Sequence, residues 1–312
     1  MDFLIVNGLS SKYDSTSGPI FAVDDVDFKL EDGESIGIAG ESACGKSTLG
    51  LSIMRMIPDG NTEGEILFSG DSLLSLKESD FDKKFRWKKI SMIFQGAMNS
   101  LDPVFTINEQ FIEILKQHNF SGNSKKMILD AINSVHLDNF ILNKYPHELS
   151  GGMKQRVVIA MALILKPKFV IADEPTTALD VLIQAQIVNL LKTLKKKGMS
   201  FMLITHDLAV LSEIADRIGI MYGGQMVEFG TAEEIYNNPK HPYTKGLLES
   251  IPTLKGNIPK YVPGIPPSLL DAPTECRFID RCHLVVEKCK LLPPKFKTET
   301  GYVRCWLYDD KK

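Results

Sequence analysis

Residues 40–48 read Gly-Glu-Ser-Ala-Cys-Gly-Lys-Ser-Thr and match the phosphate-binding pattern GxxxxGK[ST]. Directly before them, residues 35–39 form a short apolar run that predicts a buried parallel strand. The apolar residues directly after them predict a helix. A glycine-rich turn between a strand and a helix is the context in which this pattern binds phosphate. The segment therefore predicts an α/β fold built around a phosphate-binding loop.

Each residue type in this loop has a role in holding a nucleotide. Backbone N–H groups of the loop and of the helix start can surround the phosphates. Lys46 would neutralise the β- and γ-phosphates, and the Ser47 hydroxyl would hold Mg²⁺. A glycine-rich turn that arises by chance is the alternative, and the flanking strand and helix disfavour it. We therefore assign ATP binding to Gly40, Ser42, Cys44, Gly45, Lys46, Ser47 and Thr48.

The composition is that of an ordinary globular protein. Of its 312 residues, 44% are hydrophobic and 24% are charged, which argues against a disordered, collagen-like or membrane-embedded chain. The net charge of -3 gives no overall attraction to nucleic acid, so we expect no nucleic-acid partner. The longest apolar stretch, residues 157–165, is too short to span a bilayer, and the first residues lack a secretory signal. The sequence therefore predicts a cytosolic location.

Several later segments predict the rest of the sheet. Residues 169–172 and 201–204 are apolar runs typical of buried strands, and residues 181–197 between them carry apolar residues at helical spacing. Residues 217–222 and 225–229 are joined by two glycines, which favours a hairpin. We therefore expect a strand–helix–strand unit followed by a hairpin.

The pattern changes twice along the chain. Between residues 95 and 152, amphipathic segments such as 107–117 and 125–135 dominate, which predicts a helical subdomain. After Gly230 the chain becomes rich in proline and loop signals and then in cysteine. We therefore predict an ATPase domain over residues 1–235 and a carboxyl-terminal extension over residues 236–312.

Two acidic residues and a histidine follow the predicted strands. Asp173 and Glu174 end the strand at residues 169–172, at the sheet edge where α/β ligand sites form. In this Walker B arrangement, Asp173 would complete the Mg²⁺ shell and Glu174 would orient or deprotonate the attacking water. His206 ends the next strand and is expected to reach the γ-phosphate. A solvated acidic turn and a structural histidine are the alternatives.

Residues 149–156, LSGGMKQR, lie between the phosphate-binding loop and the acidic pair. They resemble the signature motif of ABC-type ATPases. A serine and two glycines ahead of an apolar helix make a helix start rich in N–H donors, which suits an anion. In this family the anion is the γ-phosphate bound by the opposing subunit. The resemblance therefore implies that Ser150, Gly151 and Gly152 bind ATP held by a second ATPase.

The resemblance extends from Leu9 to Gly230 and adds three residues to the site. Gln95 matches the Q-loop, which senses the γ-phosphate and contributes to Mg²⁺ binding, and Asp180 matches the D-loop. Tyr13 matches the upstream aromatic that stacks on adenine, although a packing role is the alternative. The implied fold is a P-loop NTPase (RecA-like) ABC nucleotide-binding domain with an antiparallel β subdomain and a helical subdomain. The implied catalytic residues are Glu174, His206, Lys46 and Gln95.

The tail contains a second set of motifs. They are His241-Pro242-Tyr243-Thr244, then Pro263-Gly264-Ile265-Pro266-Pro267, then the cysteines. Together they resemble the ATP-binding subunits of dipeptide and oligopeptide importers. Such subunits dock on two transmembrane permeases at the cytoplasmic face of the membrane, pair with a related ATPase or a second copy, and depend on an extracytoplasmic peptide-binding protein. A nickel or other small-solute importer, and a soluble ABC ATPase outside transport, stay open as alternatives.

The five cysteines fall into two groups. Cys44 stands where this family commonly has glycine, and it is either a small residue tolerated in the turn or a thiol whose lowered pKa exposes it to oxidation. The other four have gaps too long for the tight CxxC knuckles of most zinc sites, so the residues support a four-cysteine metal site without naming the metal. The resemblance implies a [4Fe–4S] cluster, with zinc and unligated thiols as alternatives. The expected ligands are Cys276, Cys282, Cys289 and Cys305.

Overall fold

The computed structural model describes residues 2–58, 61–251 and 261–309. Part of the predicted proline-rich segment, residues 252–260, lies outside the described residues. The chain divides into two compact units, the first made of Met1–Ser75 with Met202–Lys312 and the second of Leu76–Phe201. The predicted boundary at residue 235 falls inside the first unit and stays a prediction.

An antiparallel sheet occupies the amino-terminal part of the first unit. Numbered in chain order, its strands are β1 (Asp2–Tyr13), β2 (Ile20–Glu31), β4 (Thr62–Phe68) and β5 (Asp71–Ser72). They lie in the order β2-β1-β4-β5, and every neighbouring pair is antiparallel. Buried and exposed residues alternate along the end of β2, as they do when one face of a sheet covers a core. This sheet is the antiparallel β subdomain that the sequence leads us to expect.

A second sheet of the first unit carries the phosphate-binding loop. Its strands are β3 (Ile36–Ala39), β8 (Ser200–Ile204), β9 (Arg217–Tyr222), β10 (Gln225–Thr231), β11 (Phe296–Lys297) and β12 (Tyr302–Val303). β3 pairs in parallel with β8 and β9, whereas β9 and β10 form an antiparallel hairpin. Gly223 and Gly224 have φ angles of 55° and 81°, the positive values that a tight hairpin turn requires. The predicted buried strand and the predicted hairpin are therefore confirmed.

The first unit contains the α-helices α1 (Lys46–Ile53), α7 (Leu208–Ile214), α8 (Ala232–Asn237) and α9 (Pro242–Glu249). Two of them, α1 and α9, adjoin the phosphate-binding loop. α1 follows the phosphate-binding loop directly, as predicted. The motif at residues 241–244 encodes the start of α9, because Pro242 takes the first helical position and His241 Nδ1 accepts the N–H of Tyr243 at 3.0 Å.

The second unit combines two strands with five α-helices. The strands are β6 (Ile90–Ile93) and β7 (Phe169–Asp173), and the helices are α2 (Glu78–Lys84), α3 (Ile107–Gln117), α4 (Ser124–Ser134), α5 (Gly151–Leu163) and α6 (Val181–Lys196). β6 and β7 are parallel. A capping box between Thr106 and Glu109 starts α3. No helix within the described ranges is long and apolar enough to cross a membrane.

The extension after α9 has little regular structure. Beyond the two-residue strands β11 and β12, its described part contains only single helical turns. Its main aromatic anchor is Phe278, whose ring centroid lies 5.1 Å from that of Tyr222 and 5.4 Å from that of Tyr243. The extension is therefore attached to the sheet and to α9 through a small aromatic cluster.

Candidate nucleotide-binding site

Two glycines fix the path of the phosphate-binding loop. Gly40 and Gly45 have φ angles of 150° and 99°, which side chains of L-residues rarely allow. A Cβ atom on Gly40 would lie 2.2 Å from the carbonyl oxygen of Met221, and one on Gly45 would lie 1.9 Å from that of Ala22. Neither backbone oxygen can move out of the way cheaply. Both positions therefore require glycine.

Lys46 is buried at the start of α1, and its ammonium group turns back over the loop. Its Nζ donates to the carbonyl oxygens of Gly40 at 2.8 Å and Glu41 at 2.7 Å. Ser47 is half-buried, and Ser42 is exposed. The loop therefore combines a cation and a helix start, which together favour an anion.

Tyr13 lies at the end of β1, near the first turn of α1. Its hydroxyl group is 3.5 Å from Thr48 Oγ1, and its side chain is half-buried. The structure therefore brings Tyr13 to the phosphate-binding helix, and its role as the adenine platform stays a prediction.

Cys44 is a buried thiol of the phosphate-binding loop. Its side chain is only 4% exposed. Burial raises the pKa of the Cys44 thiol, and the nearby charge of Lys46 does not reverse this effect. The hypothesis of a lowered thiol pKa was wrong, because the helix start that would favour a thiolate lies in a site from which the thiol itself is desolvated.

Glu41 is a residue of the loop that the sequence analysis missed. Its backbone N–H donates to the hydroxyl oxygen of Tyr243 at 2.9 Å. Its carboxylate accepts two hydrogen bonds from Arg281, each 2.8 Å long. An acidic residue inside an anion-binding loop is itself the signal that a cation must lie nearby, although the sequence does not say which one.

The acidic pair ends the buried strand β7 as predicted. Asp173 is 4% exposed, and Glu174 follows with a φ angle of 47°. Glu174 Oε2 accepts hydrogen bonds from Gln95 Nε2 at 3.1 Å and from Thr177 Oγ1 at 2.8 Å. The structure therefore joins two of the predicted catalytic residues, Gln95 and Glu174, into one hydrogen-bonded group.

The signature segment and the D-loop meet through their helices. Ser150 caps α5 by accepting the N–H of Met153 at 3.3 Å, and Asp180 caps α6 by accepting that of Ile183 at 3.0 Å. A Cβ atom on Gly152 would lie 2.8 Å from Ile183 Cγ2, whereas Gly151 is exposed. Gly152 is thus needed for helix packing, and Gly151 leaves the start of α5 accessible.

His206 is exposed in the turn between β8 and α7. The next residue, Asp207, caps α7 by accepting the N–H groups of Ala209 and Val210. His206 thus stands at the carboxyl end of a parallel strand, and its sensing role stays a prediction.

The four tail cysteines lie close to one another. Cys276, Cys289 and Cys305 are buried, and Cys282 is half-buried. Burial, with smaller contributions from the three neighbouring thiols, raises the pKa of Cys276 to about 12. The N–H of Cys276 donates to the carbonyl oxygen of Cys289 at 3.0 Å. Within residues 2–58, 61–251 and 261–309, no group of three or more His, Cys, Asp or Glu side chains has the arrangement to hold one metal ion. The predicted metal site is therefore not confirmed.

Comparison with known families matches two parts of the chain. Residues 23–177 match the family described as ABC transporter. Residues 227–289 match the family described as oligopeptide/dipeptide transporter, C-terminal region. The second match contains three of the four tail cysteines.

Individual relatives match over nearly the whole length. The oligopeptide transport ATP-binding protein OppD of Haemophilus influenzae is 43% identical, over 99% of this chain and 98% of the relative. The oligopeptide transport ATP-binding protein AppD of Bacillus subtilis is 44% identical, over 99% of this chain and 97% of the relative. Among solved structures, a dimeric post-hydrolysis state of the ATP-binding cassette MJ0796 bound to ADP and Pi is 29% identical, with a TM-score of 0.65 over 74% of this chain and 99% of that chain.

Proposed function

Because the chain belongs to the family of oligopeptide and dipeptide transport ATP-binding proteins of ABC transporters, we propose that it hydrolyses ATP to power the import of peptides. Membership of this family is supported by the 43% identity to the Haemophilus influenzae OppD over 99% of the chain. ATP-binding proteins of this family are ATPases, which convert ATP and water into ADP and phosphate. The names of the relatives and the description of the matched tail favour peptides over nickel as the transported solute.

The observation that carries hydrolysis is the hydrogen bond from Gln95 to Glu174. Together with the bond from Thr177, it holds the carboxylate of Glu174 directly after the buried strand β7. A carboxylate held in this way can orient a water molecule and accept its proton as the water attacks the γ-phosphate. Glu174 is the general base of the proposed reaction.

Lys46 supplies positive charge to the phosphates. Its ammonium group donates to two loop carbonyls, which charged phosphate oxygens can replace as stronger acceptors. From the order of the motifs we assign Mg²⁺ to Ser47, Gln95 and Asp173, whose oxygen atoms suit a hard cation. When bound, Mg²⁺ neutralises charge on the β- and γ-phosphates. We assign γ-phosphate sensing to His206 and Gln95, and adenine stacking to Tyr13.

A second ATPase completes the proposed site. The MJ0796 structure is described as dimeric and bound to ADP and Pi, which supports pairing of related cassettes. In this chain the start of α5 is accessible at Gly151, and we assign Ser150, Gly151 and Gly152 to the γ-phosphate of ATP held by the partner. Asp180 belongs to the same proposed interface. The partner is a related ATPase or a second copy of this chain.

We place the chain at the cytoplasmic face of the membrane as a peripheral subunit of two transmembrane permeases. The family supports this placement, since its relatives are named as transport ATP-binding proteins. An extracytoplasmic peptide-binding protein would deliver the peptide. Purification of the full chain from its own cells tests the assembly: two co-purifying permeases are expected, and a ribosome or nucleic-acid partner in their place would contradict a role in transport.

We also propose that the four tail cysteines hold a [4Fe–4S] cluster, with zinc as the alternative. Hydrogen bonds to three of the sulfur atoms support the proposal, since thiolate ligands accept such bonds: Cys282 Sγ accepts the N–H of Leu284 at 3.4 Å, and backbone groups of Phe278 and Leu307 hydrogen-bond to Cys276 and Cys305. When bound, such a cluster would cross-link a segment that has little apolar core. Iron and acid-labile sulfide assays on anaerobically purified protein test the proposal, and stoichiometric zinc would contradict it.

The general base is tested by Glu174→Gln. We expect this variant to bind ATP, to lose turnover by at least about a hundredfold and to trap the closed dimer. Glu113→Gln, which changes an exposed glutamate on α3, is the matched control and should hydrolyse ATP normally. Near-normal hydrolysis by Glu174→Gln would remove Glu174 from this role.

A further inference from the structure

The phosphate-binding loop contains an acidic residue that its function does not call for. Glu41 is the second residue of the loop and carries the same sign of charge as the phosphates that the loop is proposed to bind. Like charges in a partly desolvated site repel each other far more strongly than in water. An uncompensated carboxylate at this position would therefore weaken nucleotide binding.

Arg281, in the carboxyl-terminal extension, compensates this charge. Its Nη1 and Nη2 atoms donate to the two carboxylate oxygens of Glu41, each at 2.8 Å, which is the bidentate geometry of strong guanidinium–carboxylate pairs. The Arg281 side chain is only 4% exposed. The hydrogen bonds to Glu41 raise the pKa of Arg281 above its usual value, so the guanidinium group is charged at every accessible pH. The positive charge beside Glu41 is therefore permanent.

The remaining donors of Arg281 hold it rigidly in place. Its Nε donates to the carbonyl oxygen of Pro263 at 2.7 Å, and its Nη2 donates to that of Val262 at 3.0 Å. Its Nη1 also donates to the hydroxyl group of Tyr222 at 3.2 Å. Because all its N–H groups are already used, Arg281 cannot turn towards bound phosphates as a direct ligand. Its role is to hold Glu41 in position.

The backbone of Glu41 is held from the same region. The hydroxyl group of Tyr243, a fully buried residue of α9, accepts the N–H of Glu41 at 2.9 Å. The carbonyl oxygen of Glu41 in turn accepts a hydrogen bond from the ammonium group of Lys46. A continuous series of contacts therefore leads from Arg281 and Tyr243 through Glu41 to the lysine of the phosphate-binding loop.

We propose that Arg281 is a positioning residue for the nucleotide site, which neutralises and orients Glu41 so that the carboxyl-terminal extension completes the phosphate-binding loop. This inference rests on the proposed function, since it concerns the same site. It makes ATP binding depend on a residue 240 positions away from the loop.

The charges at positions 41 and 281 should decide how tightly each variant binds ATP. In Arg281→Gln, Glu41 is left as an unpaired negative charge beside the phosphates, and the dissociation constant for MgATP should rise about tenfold, within the range of coupling measured for residues in one ion-pair network. The loss should be smaller for MgADP, which carries less charge. Glu41→Gln leaves the positive charge of Arg281 and should bind MgATP at least as tightly as the wild type. The double variant should recover most of the affinity.

The measurement is calorimetric titration of the purified full chain with MgATP and MgADP. Arg277→Gln is the matched control, because Arg277 lies in the same segment and donates to the backbone oxygens of Ser268 and Asp271. Within the part of the chain that the structure describes, it makes no hydrogen bond to the loop. A general disturbance of the extension would weaken both nucleotides equally and would not be reversed by Glu41→Gln. Unchanged affinity in Arg281→Gln, or no recovery in the double variant, would overturn the proposal.

Two outcomes separate this inference from the proposed function. If Arg281→Gln does not fold, Glu41→Gln alone still tests the inference, because weaker MgATP binding in that variant contradicts a repulsive role for the carboxylate.

If the wild type itself binds no MgATP, the proposed function fails. If the wild type binds MgATP and all Arg281 and Glu41 variants bind it equally well, only the positioning role fails.

Discussion

The phosphate-binding loop and the carboxyl-terminal extension that holds it are built in opposite ways. The shape of the loop depends on single backbone positions, chiefly the positive φ angles of Gly40 and Gly45. The extension instead depends on side chains that reach far along the chain. Arg281 meets Glu41 across 240 positions, and Arg304 meets Asp25 across 279.

The two regions also differ in how they exclude water. Strand β3, which leads into the loop, is buried along its whole length. Among the described residues 261–309, the buried apolar side chains are Cys276, Phe278, Cys289, Pro293, Val303 and Cys305. Three of these six are cysteines, so the extension depends on ion pairs, one aromatic ring and thiols more than on an apolar core. A substitution should therefore act by steric conflict in the loop and by loss of a polar contact in the extension.

The largest effect is expected from Gly45→Ala. The new Cβ atom would lie 1.9 Å from a backbone oxygen, and the φ angle of 99° is strained for alanine, so the loop cannot keep its path. We expect the variant to lose detectable MgATP binding in a calorimetric titration.

Gly198→Ala is the control for the loop variant. Gly198 has a φ angle of 89°, yet a Cβ atom there would meet nothing within 4 Å. The Gly198→Ala substitution should lower the unfolding free energy by about 1 kcal/mol, because alanine is strained at this φ angle, and should leave ATP binding unchanged. Equal behaviour of the two variants would show that strain alone, and not the close approach of the backbone, controls the loop.

The sequence predicts the loop well because its information is local. The spacing of glycine, lysine and serine, the apolar run before them and the helix after them all lie within about twenty residues. The same holds for Ser150 and Asp180, which cap their helices as residue type and position suggest. The position of Glu174 directly after a buried strand was predicted for the same reason.

The polar anchors of the extension were missed because no local pattern encodes them. Nothing in the sequence around Arg281 indicates that its partner is Glu41. The motif at residues 241–244 contains Tyr243, but it does not indicate that the Tyr243 hydroxyl group contacts Glu41. For Cys44 the sequence left two alternatives open, because a position in a sequence shows the helix start but not the burial of the side chain, which raises the thiol pKa. Burial and long-range pairing are properties of the folded chain.

The next effect concerns an ion pair of the extension. Arg304 is 3% exposed and donates to the carboxylate and the carbonyl oxygen of Asp25. Burial raises the pKa of Asp25, but hydrogen bonds from Lys295 and Arg304 outweigh it, and the pKa lies below its usual value. Arg304→Met should lower the unfolding free energy by about 2 kcal/mol, less than a fully buried pair would cost, because the Asp25 side chain is half exposed and keeps Lys295. Urea unfolding measures this loss, and an unchanged midpoint would contradict it.

A smaller effect is expected from pH at the junction of the two regions. Burial lowers the pKa of His241 to about 3, whereas unfolding restores its usual value of 6.5. The unfolded chain therefore binds an extra proton in this window, and stability falls as the pH falls below 6.5, by at most about 1.4 kcal/mol per pH unit. Burial of the neighbouring Glu228 raises its pKa and acts in the opposite direction, with stability lost as the pH rises above 4.5.

His241→Asn separates these two contributions. Asparagine can still cap α9 but does not titrate, so the fall in stability between pH 6.5 and 5 should become shallower than in the wild type. Urea unfolding at a series of pH values gives both slopes. Identical slopes in the wild type and the variant would show that His241 is not desolvated in solution.

The smallest effect should come from Lys288→Met, which shows that the ion pairs of the extension are not equivalent. Lys288 pairs with Asp309 at 2.6 Å, but its side chain is 53% exposed, against 3% for Arg304. Water and salt screen an exposed pair, and ordering a long side chain costs entropy, so the change in unfolding free energy should stay below about 0.5 kcal/mol. The midpoint of urea unfolding should therefore move far less than in Arg304→Met. Comparable losses of unfolding free energy in the two variants would mean that every ion pair stabilises the extension equally. The expected difference would mean that the stabilisation by an ion pair depends on its burial.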